Sequence, residues 1–270
     1  MRGPANAAIV RIRELVERRA ARIEAAIPHG WRQAAARAKA RAEKHLELRV
    51  VVSLLIAGTL GWAFAELTDA VLEHETHAFD REVLLALREP GNPSNPLGPR
   101  WMHEVGRDIT GLGGFTVLTL LTTATLGYLW IRRQHRAAWV LLAGVFGAAL
   151  TSRLLKRVFD RPRPELVPYT TEVYSASFPS GHATMSAATY LVLGLMLAHV
   201  HQGRRVRAYI VTVSVLVALL VGVSRVYMGV HWPTDVLAGW ALGALWAIVV
   251  WTLAHRRGPR RHPRQAPAAR

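Results

Sequence analysis

An all-α, polytopic membrane protein built as a bundle of six transmembrane helices is the fold class this sequence predicts. Three observations carry that expectation. The chain of 270 residues is 51% hydrophobic and yet has a formal net charge of +16, a pairing foreign to an ordinary soluble domain. The charge is segregated from long uncharged runs, and a span needs about 20 mainly apolar residues. Six runs qualify: Val50–Leu67, Ile109–Ile131, Ala137–Leu155, Ala183–Val200, Ala208–Val223 and Val236–Leu253.

The basic balance would by itself invite a nucleic-acid partner, but topology absorbs it. With the N-terminus inside, Lys and Arg number 12 in residues 1–49, three in 132–136, three in 204–207 and six after Leu253. That puts 24 of the 34 on the inner side, as cytoplasmic loops of membrane proteins require, and both termini are expected in the cytoplasm. No nucleic acid is needed. Four more lie in Glu66–Asp108 among nine acidic residues. The last six, Arg153, Lys156, Arg157, Arg161, Arg163 and Arg225, sit at outward-facing helix ends or in an outward loop and ask for a separate explanation.

Taken in order, residues 1–48 form a basic cytoplasmic segment with Ile9, Ile12, Val16, Ile23 and Ile27 near helical spacing, broken at Pro28-His29-Gly30. Such a helix suits anionic headgroups or simple solvation equally. The first apolar run begins near Val50, after this segment, so it is expected to stay as an anchor rather than be cleaved as a signal peptide. Residues 49–255 form the six-helix domain, and 256–270 a basic, disordered tail. Between the first two spans, Val71–Arg88 reads as an amphipathic helix along the outer surface, followed by the turn-rich EPGNPSNPLGP. Cysteine is absent, which excludes disulfides and thiolate metal sites.

Polar residues at membrane depth are costly and point to function. Three such places fall on the outer side: LLKRVFDRPRPEL from Leu154, SFPSGHATMS from Ser177, and SRVYMGVHWPTDVLAG from Ser224. Lys156, Arg163 and Arg225 converge with no matching carboxylate cluster, and a guanidinium fork or an ammonium suits phosphate oxygens. Taken singly, each could be a base snorkelling to the headgroups. Ser180 could simply cap a helix. The unpaired N–H groups at Ser180-Gly181-His182 nevertheless form an anion cradle, with the His182 ring beside it as a general acid. His231 and Asp235 are four apart at a helix start that Pro233 favours. A carboxylate at that spacing fixes the imidazole tautomer and leaves the other nitrogen as a nucleophile. Alone, His231 is an interfacial histidine and Asp235 a first-turn acid.

The full pattern resembles the type 2 phosphatidic acid phosphatase superfamily, which includes membrane lipid phosphatases and soluble vanadium haloperoxidases. The first motif is Lys156 through Arg163-Pro164, the second Pro179-Ser180-Gly181-His182, the third Ser224-Arg225 through His231 to Asp235. All eleven fixed positions are present, separated by 14 and 41 residues, and the resemblance covers roughly Ala70 to Leu253. It implies a haloperoxidase-like helical core, His231 as nucleophile oriented by Asp235, and His182 as the acid that then activates water. Lys156, Arg163, Ser180, Gly181 and Arg225 become the phosphate-binding set, with no metal and no cofactor. Arg157, Asp160 and Arg161 lie inside the first motif without an implied role.

The expected activity is hydrolysis of a lipid phosphate or diphosphate at the extracytoplasmic face, through a phosphohistidine. Undecaprenyl diphosphate, phosphatidylglycerophosphate and phosphatidic acid are the substrate classes, and the partners are that lipid and the surrounding membrane. Tyr169, Glu172 and Tyr174 are candidate headgroup selectors. The alternatives are a lipid phosphotransferase, a haloperoxidase, against which six spans argue, and a non-catalytic lipid-phosphate binding or transport protein.

Overall fold

In the computed structural model the described residues are 29–165 and 176–255. The chain divides into two units, residues 1–50 and 51–270. Of the first, the described part is helical from His29 onward. The expectations for residues 1–28, for Tyr169, Glu172 and Tyr174, and for the tail from residue 256 fall outside the described residues.

Among the described residues, eight helices and one hairpin follow in order: α1 His29–Leu72, α2 His77–Ala86, β1 Arg88–Glu89, β2 Asn92–Pro96, α3 Arg100–Leu112, α4 Phe115–Ile131, α5 His135–Phe159, α6 Gly181–Val200, α7 Arg204–Tyr227 and α8 Pro233–His255. Five are long and apolar enough to cross a membrane, and α3 with α4 makes a sixth, bent by 41°. The protein is a multi-pass helical membrane protein.

Three details differ from the sequence reading. The second span does not run unbroken from Ile109, because the helix stops at Leu112 and restarts at Phe115. A Cβ on Gly113 would sit 2.3 Å from Val221 Cγ1, so the chain presses too closely on α7 there for any side chain. The expected helix over Val71–Arg88 is instead the end of α1, a turn, and the shorter α2. Finally, the turn-rich stretch forms an antiparallel hairpin, β1 with β2, held open at its tip by Gly91 at φ 84°.

α6 is the hub, packing against α5, α7 and α8. Leu129, Leu141, Val192, Ala247 and Val250 bring α4, α5, α6 and α8 into one buried cluster. The crossing of α6 and α8 is made by small residues. A Cβ on Gly239 would fall 2.8 Å from both Ala183 Cβ and Ser180 O, and one on Gly243 would fall 2.3 Å from Thr184 O. Glycine four residues apart lets two backbones touch, the usual device for helix association in lipid, where burial from water supplies no drive.

Local chemistry sets the ends that matter. Asp160 closes α5 in the left-handed conformation at φ 37°, one that Asp tolerates, and Pro162 bars any continuation. Gly229, at φ 73°, ends α7, and Pro233 starts α8 as a first-turn proline. Consequently the C-terminal ends of α5 and α7 and the N-terminal ends of α6 and α8 meet at one end of the bundle.

Candidate active site

The stretch after α5 is stitched to the start of α8. Arg163 donates to Val230 O at 2.8 Å, and the Trp232 indole donates to Pro162 O at 3.0 Å. The Arg161 backbone oxygen accepts the Ser177 N–H at 2.8 Å, and Ser180 N donates to Asp235 O at 2.9 Å. Lys156 Nζ donates to Ala176 O. The three motifs therefore share one site.

His231 lies at its centre, 1% exposed. Its Nδ1 stands 3.3 Å from Asp235 Oδ2 and 3.3 Å from Ser177 Oγ. Its Nε2 stands 3.2 Å from the Arg163 guanidinium, which can only donate. These partners fix the tautomer: the proton is on Nδ1 and the lone pair on Nε2. Burial holds the ring well below its ordinary pKa of 6.5, with Arg163 and Arg225 adding to that and Asp235 opposing it, so the ring is neutral.

Asp235 is fully buried and saturated. Oδ2 accepts the Ser177 hydroxyl and, at 2.9 Å, the Trp232 N–H, while Oδ1 accepts Arg161 Nη1 at 2.6 Å. The Trp232 bond is the carboxylate half of a helix-capping arrangement, so Asp235 serves as both first-turn acid and imidazole partner.

The remaining sequence-derived residues gather around the same helix ends. His182 follows Gly181 in the first turn of α6, at the end of the bundle where the four helix termini meet. Ser180 occupies the N-cap position of α6 with extended backbone, but its hydroxyl makes no capping bond. Ser180 Oγ is instead buried with no protein partner, as is Arg225 Nε. Above Gly181 the nearest atom to an added Cβ is Lys156 Cε at 3.8 Å, so no protein neighbour crowds the α6 N-terminus at that point. All eight residues singled out from sequence, His231, His182, Asp235, Lys156, Arg163, Ser180, Gly181 and Arg225, are thus in one place. Of the other outward cations, Arg153 and Arg157 are exposed, which suits headgroup snorkelling. Ser224 bonds Thr110 Oγ1 at 2.6 Å and ties α7 to α3. Among the described residues, no group of three or more His, Asp or Glu could hold a metal ion.

Three neighbours escaped the sequence reading. Arg161 bridges two carboxylates, Asp235 Oδ1 at 2.6 Å and Asp80 Oδ2 at 2.7 Å. Asp80, in the first turn of α2, is fully buried and accepts the Thr234 N–H at 2.9 Å and its hydroxyl at 2.6 Å. Ser177, three residues ahead of Ser180, is the third. Arg161 carried a signal in the alternation Arg-Pro-Arg-Pro, whose prolines hold the chain extended. Asp80 carried none, since its partner Thr234 is 154 residues away.

This constellation has relatives. Residues 137–259 match the PAP2 superfamily. Phosphatidylglycerophosphatase B of Bacillus subtilis (strain 168) is 37% identical over 148 residues, which cover 54% of this chain and 71% of that protein. The chain belongs to the PAP2 superfamily. A decaprenylphosphoryl-5-phosphoribose phosphatase of Mycobacterium tuberculosis is 34% identical over 133 residues, covering 48% of this chain and 68% of its own. Among solved structures, the crystal structure of a transmembrane PAP2 type phosphatidylglycerolphosphate phosphatase from Bacillus subtilis superposes with a TM-score of 0.63 at 29% identity, covering 73% of this chain and 94% of that one. As a PAP2 member the protein falls in the class of membrane lipid phosphate hydrolases. The superfamily match begins at residue 137, later than the Ala70 expected as the start of the resemblance, so α2 and Asp80 lie outside it.

Proposed function

We propose that the protein hydrolyses the phosphoester or diphosphate of a membrane lipid at the extracytoplasmic face, in two steps through phosphorylated His231. One observation supports this above the others: a neutral ring with Arg163 at its Nε2, in a site where two buried donors of the other motifs, Ser180 Oγ and Arg225 Nε, have no acceptor in the protein. Tetrahedral phosphate oxygens are the acceptors such donors lack. In the first step Nε2 attacks phosphorus as the bond to the lipid oxygen breaks, and His182 protonates that leaving oxygen. In the second, His182 takes a proton from water, which attacks the phosphohistidine and releases inorganic phosphate. Lys156, Arg163, Arg225, Ser180 and the N–H groups from Gly181 hold the equatorial oxygens as charge develops. Asp235 keeps the proton on Nδ1 throughout. Because three cations do the work of a metal clamp, the reaction needs no divalent ion and no cofactor.

Lys and Arg placement supports cytoplasmic termini and a site on the outer face. On the same reading, residues 1–48 and 256–270 are cytoplasmic appendages to the catalytic domain of 49–255. The named phosphatase relatives make phosphatidylglycerophosphate the first substrate to test, with undecaprenyl diphosphate and phosphatidic acid beside it. Purified protein in detergent, with chelator present, should release free phosphate from at least one of these and be inhibited by vanadate. Transfer of phosphate to a second lipid without release would make it a phosphotransferase. Binding without turnover would make it a carrier, and a requirement for magnesium would remove the cation-clamp reading.

A further inference from the structure

We infer that Asp80 and Arg161 are positioning residues for the reaction, holding the Asp235 carboxylate in the plane and charge state that orient His231. The inference rests on the proposed role of His231 and adds a helix outside the superfamily match to the machinery. The geometry is continuous. Asp80 Oδ1 accepts the Thr234 N–H at 2.9 Å, one of the N–H groups at the start of α8 that a helix leaves unpaired. Asp80 Oδ2 accepts the Thr234 hydroxyl at 2.6 Å and Arg161 Nη2 at 2.7 Å. Arg161 Nη1 donates both to Thr234 Oγ1 at 2.9 Å and to Asp235 Oδ1 at 2.6 Å. Occupying Oδ1 in this way keeps Arg161 off Oδ2, which serves the imidazole along with Ser177 and Trp232.

Burial makes the arrangement consequential. Asp80 and Asp235 are both 0% exposed in their side chains and Arg161 is 12% exposed, so water screens the trio little. Two carboxylates share one guanidinium, so the trio keeps an excess of negative charge, and its Asp235 member faces the Nδ1 edge of His231. As Nε2 bonds to phosphorus the ring becomes cationic, and that excess charge stabilises it. Without the Asp80 charge, the full positive charge of Arg161 would fall on Asp235 and cancel its field at the ring. The effect would be on the chemical step, since neither Asp80 nor Arg161 is directed to the unpaired donors that would bind the anion. Arg161 differs in this from Arg163 two residues on, which touches Nε2 itself. Its fork also fits the task in a way an ammonium does not, because one planar group reaches both acids.

The test is a double-mutant cycle on the full-length protein in detergent, reading kcat, KM and the vanadate inhibition constant. Asp80→Asn should lower kcat by about 10- to 100-fold, as loss of such supporting partners commonly does, while KM and vanadate inhibition stay within about threefold. In an Asp235→Asn background the same change should cost less than about threefold, because its route to the ring is already gone. Arg161→Lys, which keeps the charge and loses the fork, should reproduce the kcat loss if Asp80→Asn does not fold. Equal losses in both backgrounds, a parallel rise in KM and the vanadate constant, or full activity in Asp80→Asn and Arg161→Lys would each overturn the inference. The arms separate its failure from that of the proposed mechanism. A fully active His231→Ala protein sinks both, whereas an inactive His231→Ala beside a fully active Asp80→Asn sinks the positioning role alone.

Discussion

The two edges of the His231 ring differ in kind. On the Nδ1 edge every donor has an acceptor: Ser177, Trp232, Arg161 and Thr234 are all spent on Asp235 or Asp80. On the Nε2 edge the ring meets the Arg163 guanidinium, and two further buried groups of the motifs, Ser180 Oγ and Arg225 Nε, have no partner in the protein. Unsatisfied buried donors cost stability, so a protein that pairs every donor around Asp235 and leaves two unpaired in the neighbouring motifs has separated a finished scaffold from a half-built site. Arg161 and Arg163 mark the boundary, two residues apart in sequence and committed to opposite edges.

Substitutions should respect that boundary. The largest effect belongs to the ring itself: His231→Ala should lose more than about 10³-fold in kcat and all acid-labile phosphoprotein, measured by phosphate release and by labelling. His182→Ala should lose about 10²- to 10⁴-fold, the usual share of a general acid, yet still bind vanadate, which would show that the Nε2 edge survives without its acid. Arg225→Met should cost about 10²-fold or more in kcat/KM and weaken vanadate inhibition in parallel, unlike any change on the Nδ1 edge. Ser180→Ala removes one donor to a charged group and should cost about tenfold in kcat/KM. Because the hydroxyl has no partner in the protein, the variant should match or exceed the parent in thermal stability in detergent.

The smallest change is spectroscopic. With burial depressing its pKa below 6.5, the His231 ring should stay neutral and protonated on Nδ1 as pH falls from 7.5 to 5.5, and its ¹⁵N imidazole shifts should not move. A residue whose basic form is favoured by folding binds fewer protons than it does in the unfolded chain. Stability from this group is accordingly present above pH 6.5 and declines below it. A ring that titrates near 6.5 would show the Nδ1 edge to be wetter than its contacts imply.

What could be read from the sequence was what is local or repeated in the family's motifs. The spans follow from apolar runs, and the site from eleven residues whose types suit one chemistry. Asp160, given no role from sequence, is a helix stop. The break at Gly113 was missed because hydropathy does not register a close approach to Val221 more than a hundred residues later. Gly239 and Gly243 looked like ordinary residues of an apolar span until α6 was seen against them. Asp80 was the hardest, a single acid among several in an amphipathic stretch, distinguished only by tertiary contact with Thr234 and Arg161.

The glycine crossing of α6 and α8 bears on how a two-tailed or polyprenyl substrate reaches the pocket. Where main chain touches main chain there is no seam wide enough for a hydrocarbon, so the bundle is sealed along the α6–α8 crossing at Gly239 and Gly243. A lipid must therefore present its headgroup from another side of the bundle, with its tails left in the bilayer around the helices.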